Sequence, residues 1–195
     1  SGPHLGVKTE LLPIGVTAAY LPFSTPLTSF IFYFAASVLA GCPLILSSST
    51  HALLTSMFIA LLAEERGLPP AALQIVFGNF SSFKQLISDK RVRAILYTGS
   101  REHCDTIRQE SRTNFPRQLV LQSGGKNAVI VHSSANLDDA VKCVTYGALK
   151  TSGQRCTSTS RVFVYRSLMP QFCEALAAAF KAVSYTHLTL PTILL

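Results

Sequence analysis

Along the chain, short runs of apolar and β-branched residues alternate with longer stretches whose apolar positions recur every three or four residues. The first pattern is that of buried strands, the second that of helices lying on them. Strands are predicted at residues 14–21, 43–46, 73–77, 94–97, 119–122, 128–131 and 161–164. Helices are predicted at 27–40, 51–66, 81–88, 100–111, 137–149 and 167–182. Gly67 and the Pro69-Pro70 pair stop the second helix. Leu168, Phe172, Leu176 and Phe180 lay one apolar stripe along the last. Residues 29–40 are apolar on nearly every side but too short to span a bilayer, which predicts a helix buried inside the fold.

Strand–helix alternation of this kind implies right-handed crossovers and a sheet covered on both faces. The expected fold is α/β: a doubly wound, mostly parallel sheet of the Rossmann-like type, followed by the beginning of a second α/β domain. Ligands of such sheets sit outside the carboxyl ends of the strands. The loops at 22–26, 47–50, 98–100 and 122–126 are therefore expected to share one rim. Gly124-Gly125 reads as a hinge, giving a first domain over 1–123 and the start of a second over 124–182. Residues 183–195 break the pattern, because β-branched and Thr-rich residues follow the last helix with no cap or glycine stop. Much of that stretch back-translates to the transposon end and adapter of short-read library preparation. It is expected to be a non-native tail, set aside from fold reasoning, with the natural chain continuing past Ala182.

Composition narrows the class. With 48% hydrophobic and 14% charged residues, intrinsic disorder is excluded and a packed core is expected. The net charge of +7 comes from scattered side chains with no basic run, so a nucleic-acid partner is not expected. No segment reaches the roughly 20 apolar residues of a spanning helix, and residues 1–10 lack signal-peptide character, so no membrane association is expected. The five cysteines form no CxxC pair and no zinc-type cluster. Such a set suggests no metal site and a reducing, cytoplasmic setting.

Three segments carry candidate chemistry. In 151–160 (TSGQRCTSTS), Cys156 sits in a small polar loop beside Arg155, whose charge favours a thiolate. A partly exposed cysteine of this kind is a candidate nucleophile, with a half-buried structural thiol as the alternative. Cys42, Cys104, Cys143 and Cys173 read as packing residues inside elements. In 121–127 (LQSGGKN), two glycines after a strand permit close backbone approach to a ligand or a sharp turn. In 97–100 (YTGS), Gly99 and Ser100 stand at a helix N-terminus, which favours a phosphate; a plain N-cap serine is the alternative.

Taken in order, these motifs are more specific: Pro22-x-x-x-Pro26-Leu27, Ala40-Gly41, Gly67-Leu68-Pro69-Pro70, Tyr97-Thr98-Gly99-Ser100, Gly124-Gly125-Lys126-Asn127 and Gly153-Gln154-Arg155-Cys156. The series resembles the aldehyde dehydrogenase superfamily from Gly6 to about Ala182. The resemblance covers only the middle of a family member, which is more than twice as long. It implies that Cys156 attacks an aldehyde as a thiolate, that hydride passes to NAD or NADP, and that a thioester results. Cofactor contacts are implied at Leu21, Pro22, Phe23, Ser47, Thr50, Gly99, Ser100, Ser123 and Gly124.

The chain departs from the family pattern in three places. Ser24 stands where the family has an oxyanion-holding Asn; losing such a donor costs roughly a hundred- to a thousandfold in rate. Gln122 stands where the family has the Glu that deprotonates the hydrolytic water, and a neutral amide accepts no proton near pH 7. Ser47 through Thr50 replace the Lys-Pro-Ser-Glu that touches the adenosine ribose; without the acid a 2′-phosphate is tolerated, so NAD and NADP both stay open. The expected function is NAD(P)-dependent oxidation of an aldehyde or semialdehyde to the acid. The alternatives are a coenzyme-A-acylating or hydrolysis-impaired variant and a nucleotide-binding non-enzyme. The complete protein is expected to be a cytoplasmic homo-oligomer, and the present chain alone to be inactive.

Overall fold

The computed structural model describes residues 9–112 and 116–187, apart from the side chains of 183–187. Among the described residues seven strands and six α-helices follow in the order β1 Val16–Leu21, α1 Pro26–Leu39, β2 Leu44–Ser48, α2 Leu53–Glu65, β3 Leu73–Phe77, α3 Phe80–Ser88, β4 Val92–Gly99, α4 Arg101–Glu110, β5 Gln118–Ser123, β6 Asn127–Val131, α5 Leu137–Leu149, β7 Thr159–Val164 and α6 Met169–His187. They divide into two compact units, Ser1–Gln122 and Ser123–Leu195.

In the first unit the strands are ordered β3-β2-β1-β4-β5. β1 runs parallel to β2 and β4, and β2 parallel to β3. The chain winds outward from β1 to β3 and then returns to β4, so the order reverses between β1 and β4. That reversal opens a crevice at the carboxyl edge of an open α/β sheet. β1 is buried over five of its six residues, as a central strand covered on both faces must be. On one face Ala18, Tyr20, Ile95 and Tyr97 pack with Phe83 and Ile87 of α3 and with Cys104 and Ile107 of α4. On the other, Ala19, Leu21, Leu44 and Leu46 pack with Ile59 of α2 and with Phe30, Tyr33 and Phe34 of α1. The doubly wound parallel α/β fold is therefore observed.

The second unit holds a parallel pair, β6 and β7, with Val129 opposite Val162 and Val131 opposite Val164. Those four valines pack with Val141 and Val144 of α5 and Phe172 of α6. Asn136 begins α5 by accepting the Asp139 backbone N–H at 3.1 Å.

Some expectations need correction. The apolar helix predicted at 29–40 is not buried: in α1 only Ser37 is, while Leu27, Ile31, Phe32, Val38 and Leu39 are exposed. A helix laid on one side of a sheet buries a single stripe, here Phe30, Tyr33 and Phe34, whatever its outer residues are. Cys143 and Cys173 are likewise exposed, because they lie on the outer sides of α5 and α6, and Cys42 lies in the connection before β2; Cys104 is fully buried. α6 runs to His187 rather than stopping at Ala182. Extending an existing helix by a turn costs little, since each β-branched residue subtracts only a few tenths of a kcal/mol. Residues 188–195 of the expected tail lie outside the described residues. Among the described residues no helix is long and apolar enough to cross a membrane, and no group of three metal-ligating side chains occurs.

Candidate active site

The carboxyl ends of β1, β2 and β4 are neighbours by register: Leu21 faces Ser48, and Tyr20 faces both Ser47 and Tyr97. The Ser49 N–H donates to the Leu21 carbonyl at 3.1 Å and ties two of these ends together. Leu21 and Pro22 are buried, Ser24 is half-buried, and Phe23 projects outward with its ring edge-on to His51. Pro26 supplies the first turn of α1, where a missing N–H is no loss. Ser47 is 1% exposed, and its hydroxyl has no hydrogen-bond partner among the described residues. Thr50 is exposed and opens the short turn that Ser49 caps.

At the end of β4, Gly99 is required by packing. A Cβ there would collide with the Tyr97 phenol oxygen. The Tyr97 hydroxyl pairs with His103 Nδ1 at 2.9 Å, and burial pushes the Tyr97 phenol up to about 12. Ser100 caps α4, its Oγ accepting the His103 N–H at 3.3 Å. Cap and phosphate site are therefore compatible readings of this residue: the hydroxyl serves the third helical amide, and the first-turn amides before it lack intrahelical partners. Nearby, the Tyr33 hydroxyl pairs with Thr98 Oγ1 at 2.6 Å, and burial raises its pKa as well.

Gln122 is exposed near the end of β5, the strand beside β4. In the second unit, half-buried Ser123 and exposed Gly124 lead into β6. Cys156 is half-buried in the loop before β7, with Arg155 exposed next to it. The loop is held by short local bonds. The Arg155 N–H donates to Ser158 Oγ at 3.2 Å, and the Ser158 N–H returns to the Arg155 carbonyl at 3.1 Å. Asn127 Nδ2 donates to the carbonyls of Cys156 at 2.6 Å and Ser158 at 3.1 Å. A Cβ on Gly125 would lie 3.1 Å from the Cys156 carbonyl, so the glycine admits the cysteine's backbone. Just upstream, Thr151 (φ 57°) and Ser152 (φ 53°) adopt the left-handed conformation that non-glycine residues rarely take, followed by Gly153 at φ 68°.

Asn127 and Gly125 were legible only as parts of a hinge motif; their hold on the cysteine loop follows from the pairing of β6 with β7. A cavity of about 840 Å³ lies between α5, the strained turn and α6, lined by Thr145, Tyr146, Leu149 and Lys150 among others. None of the predicted site residues lines it. The first unit thus gathers Leu21, Pro22, Phe23, Ser24, Ser47, Thr50, Gly99 and Ser100 at one sheet edge, and the second gathers Gly125, Asn127 and Cys156.

Residues 4–192 match the model of the aldehyde dehydrogenase family. Human retinaldehyde dehydrogenase 3 is 32% identical over 161 residues, which cover 82% of this chain and 31% of that protein. Human 2-aminomuconic semialdehyde dehydrogenase is 31% identical over 179 residues, 90% of this chain and 37% of the relative. Among solved structures, an indole-3-acetaldehyde dehydrogenase complexed with NAD+ superimposes with a TM-score of 0.83 at 27% identity, covering 87% of this chain and 35% of that one. The chain spans about a third of the length of these relatives.

Proposed function

Because the chain belongs to the aldehyde dehydrogenase family, we propose that the protein containing it oxidises an aldehyde or semialdehyde to the acid with NAD or NADP, through a thioester on Cys156. The observation that carries this reading is the Cys156 loop: a half-buried thiol whose backbone is fixed by Asn127 and admitted by Gly125. The carboxyl edge of the first unit suits a dinucleotide. It offers a buried Ser47 hydroxyl in need of a partner, and a Gly99–Ser100 turn that keeps Cβ bulk away from the start of α4. NAD(P), when bound there, supplies the hydride acceptor. Ser47 and Thr50 are assigned to the ribose, Gly99 and Ser100 to the pyrophosphate, and Leu21, Pro22, Phe23, Ser123 and Gly124 to the remaining cofactor contacts.

In the proposed mechanism the Cys156 thiolate adds to the carbonyl carbon, forming a C–S bond and leaving charge on oxygen. The Cys156 N–H donates to that oxyanion, and the family pattern assigns the second donor to the position of Ser24. When hydride departs, the C–O double bond re-forms and the acyl group remains on sulfur. Water then adds to the thioester carbon, and the acid leaves with return of the thiol. Gln122 stands at the position of the family's general base and takes no proton from water near pH 7, so release of the acyl group is slow; a general base is worth about a hundred- to ten-thousandfold. The exposed amide at this position favours a second reading, in which a thiol such as coenzyme A takes the acyl group instead of water.

Rapid-mixing kinetics of the complete protein test both readings. We expect a burst of reduced cofactor equal to one per Cys156, a slow steady rate afterwards, and a faster steady rate in Gln122→Glu. Cys156→Ala should abolish burst and thioester alike; a burst surviving that substitution overturns the proposal. The odd, scattered set of five cysteines with no CxxC pair supports a cytoplasmic setting, and the exposed Phe32, Leu39, Leu54 and Phe58 on α1 and α2 support self-association of the whole protein.

A further inference from the structure

Lys142, Tyr146 and Lys150 stand four residues apart, from α5 to its C-cap, so they lie along one face of the helix. All three line the cavity of about 840 Å³ in the second unit. The rest of its described wall is largely apolar, with Leu149 of α5 and Ala179 and Ala182 of α6, and it ends at the strained turn of Thr151 and Ser152. Among the described residues no carboxylate lines the cavity, and neither lysine is in an ion pair. A helix face that serves only solvation gains by setting an acid four residues before a lysine. This one sets a phenol between two lysines.

Lysine and phenol already work together. The Lys150 ammonium donates to the Tyr146 hydroxyl and lies 4.3 Å from the centre of its ring. A hydroxyl that accepts from lysine keeps its own proton to donate, and the ammonium keeps further N–H donors. One carboxylate can therefore take a hydrogen bond from each. The hydrogen bond from Lys150 lowers the phenol, and the charge of Arg155, the residue before the candidate thiol, lowers it further. The pair and the cysteine loop are thus within electrostatic reach of each other. The connection between them is short: Thr151 and Ser152 hold left-handed backbone, and the Gln154 N–H closes on the Thr151 carbonyl at 3.0 Å. Strained non-glycine residues of this kind cluster at ligand clamps and active sites.

We propose that this cavity anchors the far end of the substrate: a carboxylate takes hydrogen bonds from Lys150 and Tyr146 while the aldehyde carbon of the same molecule reaches Cys156. The carbon chain between them lies against Leu149, and Lys142, about two helical turns away, adds attraction without contact. The inference rests on the thioester reading above and narrows its substrate to aldehydes that carry a carboxylate. A carboxylate suits the pair better than a phosphate, whose second charge and additional oxygen call for more donors.

Two experiments test this. Amide chemical shifts of the full 195-residue chain, titrated with glutarate, should move at Leu149, Lys150, Thr151 and Ser152. Lys150→Gln should weaken that response roughly tenfold, the scale of one charged hydrogen bond. Pentanol, which has no charge, should leave those amides in place; an equal response to both compounds overturns the site. In the complete protein, glutaric semialdehyde should show a higher kcat/KM than pentanal, its match in carbon count. Lys150→Gln should lower the ratio of the two values roughly tenfold, Lys150→Arg should restore most of it, and Tyr146→Phe should lower it several-fold. The ratio compares two substrates on one sample, so partial unfolding cancels. A lysine that only caps α5 would lower the melting temperature in Lys150→Gln and leave the ratio where it was, which refutes the anchor. If both aldehydes give a burst of reduced cofactor with equal kcat/KM, the anchor falls and the thioester reading stands. If neither gives a burst while glutarate still binds, the thioester reading falls and the carboxylate site stands. If neither a burst nor glutarate binding is seen, both fall.

Discussion

The first unit sets a five-stranded sheet between two helical layers, so its central strands β1, β2 and β4 are covered above and below. The second covers its two strands on one side only: Val129, Val131, Val162 and Val164 face α5 and α6, while Ile130 and Phe163, opposite one another, are 77% and 55% exposed. Parallel pairing is common to both units, yet the burial it rewards differs, because a parallel strand is most stable with apolar cover on each face. The contrast matches the parts proposed for each unit. A cofactor cradle needs a fixed sheet edge, whereas the cysteine loop is held by local hydrogen bonds to Asn127 and Ser158.

The sharpest way to break this comparison is to hollow each unit in turn. Phe83→Ala, at a fully buried ring, should cost about 3–5 kcal/mol in urea unfolding, whereas Ile130→Ala should stay within about 0.5 kcal/mol. Equal losses would show that Ile130 is not at an open face. Alkaline titration separates the units by sign. The Tyr97 phenol is raised by burial to about 12, so its contribution to the first unit is complete below the ordinary value of 10 and is lost as pH rises through about 12. Tyr20 and Tyr33 are raised too and act in the same direction. In the second unit Tyr146 is lowered by its hydrogen bond with Lys150, so rising pH favours its folded form. Amide exchange should therefore show the first unit opening earlier above pH 10, and the reverse order would refute the assignment. The smallest effect belongs to the strained turn. Thr151→Gly removes a left-handed cost of about 1–2 kcal/mol and adds a glycine entropy cost of about 0.5–1, so a net gain of at most about 1.5 kcal/mol in thermal unfolding is expected.

Local pattern made much of the fold legible. β3 and α5 occupy the residues their periodicity predicts, since Pro69-Pro70 and Gly78 bracket the strand and Asn136 caps the helix. Apolar pattern could not say how many faces of α1 would find a partner, because Phe32 and Phe34 look alike in sequence and only one lies over the sheet. Nor did any glycine or asparagine announce the left-handed pair Thr151 and Ser152. The candidate site was legible as motifs, and Cys156, Gly99 and Ser100 were found that way. Its long-range partner was not: the grip of Asn127 on the Cys156 carbonyl joins chain segments that only the strand order brings together.

The two-stranded sheet of the second unit has a practical consequence. Each of its strands keeps one flank of backbone amides and carbonyls unpaired by a strand among the described residues, and the apolar pair Ile130 and Phe163 stands beside those flanks. Such a flank is a template for any extended segment that meets it. In a concentrated preparation this is where the molecule would begin to precipitate, and Phe163→Lys is the change that would keep it in solution.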